Sequence, residues 1–192
     1  MGRDARSDLA VVRAEADASA WCRRSCLRGT QAGGGDIITH EQYRNFEFAC
    51  DWRIAPKGNS GIMYRSTEDH SASYATGPEM QVLDDAGHAD SVDAKTSAGA
   101  LYGLIPSAHD VFRPAGEWNS IRIVVKGDDV EHWANGFRIV QYRLNSPQWD
   151  AMIKGTKFES MKDFGRKPRG HVALQDHGDD VWYRNIKVRP LP

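Results

Sequence analysis

The chain has 192 residues, and 26 acidic against 25 basic side chains give a formal net charge of -1 at pH 7, so bulk charge offers no grip on nucleic acid. Hydrophobic residues make up 40% and charged residues 27%, ordinary globular usage that excludes a wholly disordered or fibrous chain. The longest apolar runs, residues 123–125 and 9–12, fall far short of the roughly 18 residues that cross a bilayer.

Residues 1–32 form an atypical N-terminal segment, either disordered or a divergent edge. Residues 1–20 are rich in Arg, Ala and Asp, which suits a polar helix, and Gly33-Gly34-Gly35 marks a joint before the strands begin. No apolar core of a secretory leader is present, so the chain as given reads as cytoplasmic or as one that has lost its leader. Cys22, Cys26 and Cys50 cannot all pair within one molecule and show no Cys-x-x-Cys spacing, so a disulfide scaffold is not expected.

Residues 33–192 read as one all-β domain. In residues 45–54, Phe46, Phe48, Cys50, Trp52 and Ile54 alternate with Asn45, Glu47, Ala49, Asp51 and Arg53, giving one buried and one polar face. Further strands are expected at 61–66, 79–83, 101–105, 118–126, 130–134, 137–144, 171–175 and 181–189. Asn135-Gly136 supplies the two positive-φ residues of a type I′ turn, so 130–144 is a hairpin. Many strands without intervening helices predict a two-sheet sandwich with jelly-roll connections. Residues 147–169 are irregular and should hold a short helix and a loop packed by Trp149, Met152, Phe158, Met161 and Phe164.

Strand alternation also sorts the chemistry. Met80 and Val82 should face the core while Glu79 and Gln81 share the other face, beside Gly61, Met63 and Arg65 of a neighbouring strand. An arginine reaching Glu79 would orient its carboxylate and lower its pKa. Val172 and Leu174 should point inward, with His171, Ala173, Gln175 and His177 opposite. Together these place Glu79, Gln81, Arg65, Gln175 and His177 on one concave surface. An imidazole there can take or give a proton near neutral pH. Tyr102 and Trp118 lie beside turn residues, where a ring can form the wall of a sugar groove; most other aromatic residues belong to the core. Glu79 and Asp84 would fall on opposite faces, which counts against a two-carboxylate glycosidase. Phosphate-loop, dinucleotide and nucleophile-elbow motifs are absent.

Taken in order, Gly34-Gly35-Asp36-Ile37-Ile38-Thr39, Gly58-Asn59-Ser60-Gly61-Ile62, Glu79-Met80-Gln81-Val82-Leu83-Asp84, Gly99-Ala100-Leu101-Tyr102, Gly116-Glu117-Trp118-Asn119, Trp133-Ala134-Asn135-Gly136, Gly170-His171-Val172-Ala173-Leu174-Gln175-Asp176-His177-Gly178 and Val181-Trp182-Tyr183-Arg184-Asn185-Ile186 resemble the bacterial 3-keto-disaccharide hydrolase domain family. The resemblance covers about residues 33–191 and departs at the N-terminus, where the family's usual opening strand is replaced by the Arg- and Ala-rich segment. It implies a concanavalin-like jelly-roll sandwich, a carbohydrate substrate, and cleavage of glycosides carrying a C3 ketone. Family members are often exported to the periplasm. Glu79 and His177 are then the acid/base candidates, and Asn59, Arg65, Gln81, Tyr102, Trp118 and Gln175 the sugar-contacting ones. A divalent metal that polarises the 3-keto oxygen, with His177 among its ligands, is a variant of the same chemistry. The alternative is a non-catalytic carbohydrate-binding module on the same sandwich.

Overall fold

Alternation is strictest in the nine-residue strand Phe46–Ile54, whose even-numbered residues are buried and odd-numbered ones half-buried along its whole length. In the computed structural model, which describes residues 35–192 and the backbone of two short strands before them, this strand is β4 of eleven. The others are β1 (Val12–Ala14), β2 (Leu27–Gly29), β3 (Ile37–Thr39), β5 (Asn59–Ser66), β6 (Glu79–Leu83), β7 (Asn119–Lys126), β8 (Asp129–Ala134), β9 (Phe137–Arg143), β10 (His171–Leu174) and β11 (Val181–Pro190). They form a five-stranded sheet in the order β1-β3-β10-β5-β6 and a six-stranded sheet in the order β2-β11-β4-β7-β8-β9. Every pairing is antiparallel. The two sheets stack as a jelly-roll sandwich, and the all-β reading of the sequence holds.

Phe46, Phe48, Trp52, Ile121, Ile123 and Val125 of the six-stranded sheet meet Ile62, Tyr64, Met80, Val82, Val172 and Leu174 of the five-stranded sheet in one buried cluster. Burial of such side chains contributes about 1.5–3 kcal/mol each. A polar network runs through it: the Tyr64 hydroxyl lies 2.8 Å from Nε2 of His132 and against the Tyr142 hydroxyl, and Nδ1 of His132 lies 3.3 Å from the Gly99 carbonyl. Burial pulls the His132 pKa down to about 4, so the ring is neutral and links the sheets by hydrogen bonds rather than charge.

The hairpin turn is as the sequence dictates, with Asn135 at φ 48° and Gly136 at φ 92°. The strand expected at 101–105 is instead a tight turn. Leu101 and Ile105 bond each other's backbones at 2.9 and 3.0 Å, and only Leu101 bridges onto the sheet, at Met80. Residues 147–169 contain helix α1 (Pro147–Ile153), capped by the Ser146 side chain, and a 3₁₀ turn at Lys157–Ser160. Trp149 stacks on Tyr142 of β9 and so anchors the segment to the sandwich, and Phe164 and Phe158 continue the stack, with the two phenylalanine centroids 4.2 Å apart.

β1 and β2 add one edge strand to each sheet where the sequence shows no alternation. Val12–Ala14 is therefore extended, not part of a polar helix; the rest of residues 1–34, with Cys22 and Cys26, lies outside the described residues. No helix among the described residues is long and apolar enough to cross a membrane.

Candidate active site

Three strands of the five-stranded sheet build the site. Gly61 of β5 stands opposite Gln81 of β6, and Met63 opposite both Glu79 of β6 and Ala173 of β10. The two-residue period sends Ile62, Met80, Val82, Val172 and Leu174 into the core and leaves Asn59, Gly61, Glu79, Gln81 and Gln175 on the other face. That face is roofed, not solvated: every residue of β5, β6 and β10 is buried. Part of the roof hydrogen-bonds along β6, where the Gln81 N–H donates to Ala100 O at 3.1 Å and the Tyr102 N–H to Glu79 O at 3.0 Å. This seats the Tyr102 ring beside Glu79.

The result is a cavity of about 190 Å³ lined by Asn59, Glu79, Gln81, Tyr102, Gln175 and His177. Lys157, Phe158 and Tyr74 complete it. Six of the eight residues singled out in the sequence thus share one pocket. Through Tyr74, Gln175 and His177 it opens into a cleft of about 490 Å³ that Asp36, His70, His171 and Asp176 also line.

Glu79 is 9% exposed, and its carboxyl makes no hydrogen bond with the described residues. Burial, opposed by the nearby Lys157 ammonium and reinforced by the charges of Asp36 and Asp90, raises its pKa to about 8. At neutral pH it is a carboxylic acid. Gly61 makes room for it: a Cβ on residue 61 would fall 1.9 Å from Glu79 Oε1. Gln81 donates through Nε2 to Thr96 O at 3.2 Å, which fixes its amide orientation. Its Oε1, like that of Gln175, is buried without a partner. Unpaired acceptors in a cavity cost free energy unless a ligand supplies donors.

His177 follows β10, and its Nδ1 lies 3.8 Å from Asp179 Oδ2, an ion-pair distance once the ring is protonated. The same carboxylate accepts the Asn59 N–H at 2.9 Å. The larger cleft has a half-buried carboxyl of its own: Asp36 accepts the Asp176 N–H at 3.0 Å, and its partial burial raises its pKa. His171 turns toward this cleft and holds Thr39 O through Nδ1 at 2.7 Å. Among the described residues no three His, Cys, Asp or Glu side chains converge as a metal-holding set.

Two sequence-derived candidates lie elsewhere. Arg65 is the extra residue of a bulge at which Val172 pairs Tyr64 and His171 pairs Ser66, and its φ of 55° turns its side chain off the Gly61–Met63 face. Its guanidinium, 1% exposed, donates instead to Gly127 O in the β7–β8 turn and reaches Asp128 at 3.5 Å, tying the sheets together. It does not orient Glu79, whose pKa is raised rather than lowered. Trp118 stands on the outer face of the six-stranded sheet, with the guanidinium carbons of Arg184 and Arg53 at 3.9 and 5.1 Å from its ring centroid. Turn neighbours told only that it was near a loop, not which sheet face it would take. Asp84 accepts the backbone N–H groups of Lys57 and Ala86 at 2.7 and 3.3 Å, a turn-forming role. Lys157 and Asp179 come from irregular segments, where no periodicity marks a residue as facing the site.

The chain is similar to a 3-keto-disaccharide hydrolase of Bacteroides thetaiotaomicron, with 34% identity over 181 aligned residues that cover 82% of this chain. It spans only 62% of that relative's length. Two structures of candidate glycosyl hydrolases from Parabacteroides distasonis superpose closely. One has a TM-score of 0.84 and 30% identity over 92% of this chain and 85% of its own; the other has a TM-score of 0.76 and 26% identity over 91% and 92%. A carbohydrate-binding module of Bacillus subtilis, 12% identical with a TM-score of 0.56 over 88% of this chain and 90% of its own, shares the fold alone. The family model of the 3-keto-alpha-glucoside-1,2-lyase-like domain matches residues 14–189, and the chain belongs to that family.

Proposed function

We propose that this chain cleaves glycosides whose C3 hydroxyl has been oxidised to a ketone, by acid/base chemistry next to that carbonyl. A C3 carbonyl acidifies the hydrogen on C2. A base removes that proton, the C1–O bond breaks as a C1=C2 double bond forms, and the departing oxygen takes a proton from an acid. Water then adds across the double bond.

The observation that carries this reading is a carboxylic acid still protonated at neutral pH in a cavity of amide and phenol groups. Glu79, with its pKa near 8, suits the general acid that protonates the leaving oxygen. His177, on the same cavity and backed by Asp179 at 3.8 Å, suits the base that takes the C2 proton. The unpaired Oε1 atoms of Gln81 and Gln175 suit the hydroxyls of a sugar ring, and the Tyr102 ring its C–H face. A two-carboxylate mechanism fits less well, because Asp84 is held by backbone N–H groups and does not line the cavity.

The test compares a disaccharide with its 3-keto form. Release of the C1 substituent from the 3-keto form alone supports the proposal. Binding of either sugar without release makes the sandwich a carbohydrate-binding module, and equal release from both makes it an ordinary glycosidase.

A further inference from the structure

We infer that Lys157 is a catalytic residue whose ammonium stabilises the negative charge that collects on the C3 oxygen as the C2 proton leaves. The inference rests on the 3-keto reading above. When the base takes that proton, the C2–H electron pair becomes a C2=C3 bond and the carbonyl π pair moves to the C3 oxygen. The enolate then collapses: the C3 carbonyl re-forms, C1=C2 forms, and the pair of the C1–O bond leaves on the departing oxygen, which takes its proton from Glu79. The anion in the middle of this sequence needs a positive partner inside a partly desolvated pocket.

Lys157 is the one lysine or arginine among the described residues that line the cavity. Its ammonium is engaged by no carboxylate at ion-pair distance among the described residues. It is held by aromatic faces, with Nζ 4.3 Å from the Tyr102 ring centroid and 5.2 Å from that of Phe158. Its backbone is fixed by the 3₁₀ turn it opens, where Thr156 Oγ1 accepts the Phe158 N–H at 3.2 Å and Phe158 is buried. Apart from His177 and Glu79, the other groups facing the cavity are neutral: the amides of Asn59, Gln81 and Gln175, the phenols of Tyr74 and Tyr102, and the Phe158 ring. With Glu79 in its acid form, the charge of Lys157 is not cancelled and remains for the anion. Asn59, Gln81 and Gln175 can orient hydroxyls, but none of them carries a charge.

Lys157→Met keeps the apolar stem on Tyr102 and removes the charge; Lys157→Arg keeps the charge. Both are measured on a 3-keto disaccharide with hydrogen or deuterium at C2, alongside binding of the unoxidised parent disaccharide. We expect kcat of Lys157→Met to fall by about 10²–10³, the isotope effect on kcat to rise because proton removal becomes slow, and parent binding to stay within about twofold. Lys157→Arg should recover part of the rate. A kcat within about threefold of wild type, or a loss matched by weaker parent binding with an unchanged isotope effect, overturns the role. If wild type itself releases nothing from the 3-keto substrate, the functional reading fails, and this inference with it.

Discussion

Glu79 and Gly61 share one space: the Glu79 carboxyl lies across the β5 backbone where any other residue at 61 would place its Cβ, 1.9 Å from Oε1. A carboxyl that can lie flat on a neighbouring strand is buried, and burial makes it an acid at neutral pH. Gly61→Ala should displace that carboxyl with the fold intact, because Gly61 has no positive φ to lose. Turnover is expected to fall by about 10²-fold, the cost of a misplacement near 1 Å. Steady-state kinetics and the melting temperature together check this; unchanged turnover would mean that the position of the carboxyl does not matter.

Glu79→Gln keeps the shape and removes the proton donor. Turnover should drop by at least about 10²-fold, with binding of the parent disaccharide preserved. Weaker binding at normal turnover would move Glu79 to a contact role.

The same group sets a pH dependence of stability. Its folded pKa, about 8, is raised above the ordinary 4.5, so the folded state holds a proton that the unfolded state loses first. The stabilisation is complete below about pH 4.5 and is lost as pH rises through about 8, by up to about 5 kcal/mol. Glu79→Gln has no such group to ionise. Its melting temperature should therefore gain on wild type steadily between pH 5 and 8.5; a constant gap across that range would contradict the raised pKa.

Activity should decline above about pH 8, because Glu79 must keep its proton to donate it. The charge of Lys157 favours the ionised form, while Asp36 and Asp90 oppose it. Lys157→Met should therefore move this alkaline limb to higher pH, and a full pH–rate profile of both proteins reads the shift.

Arg65 and Trp118 separate the fold from the site. Arg65→Met takes the side-chain donor from Gly127 O and leaves Asp128 to Asn145 alone, and should destabilise by about 2–4 kcal/mol, yet the folded fraction should turn over normally. Trp118→Ala should leave turnover within about twofold of wild type. A large loss of rate per folded molecule in either variant would return that residue to the site.

Much of this arrangement was legible in the sequence wherever alternation was unbroken. Glu79 and Gln81 fell on one face and Met80 and Val82 on the other because β6 is regular over its whole length, and Gln175 followed from Val172 and Leu174. Arg65 was misplaced because a single bulged residue with positive φ breaks the count of two, and nothing local marks it; the close approach of Gly170, whose Cβ would lie 2.4 Å from the Arg65 backbone, is a tertiary fact. Lys157 was invisible for a different reason. It reaches the cavity only because Phe158 and Phe164 pin an irregular segment over the sheet, a packing choice that no periodicity encodes. Alternation likewise gave Glu79 its face but not its burial, since the roof over β6 comes from residues 99–102 and 157–158.

The most direct measurement follows the hydrogen on C2. When a 3-keto disaccharide is turned over in D2O, elimination and rehydration place one solvent deuterium at C2 of the 3-keto sugar released, above the exchange seen without enzyme, and Glu79→Gln slows that incorporation together with release. Released sugar that retains its original C2 hydrogen would mean direct displacement at C1 and would contradict the account.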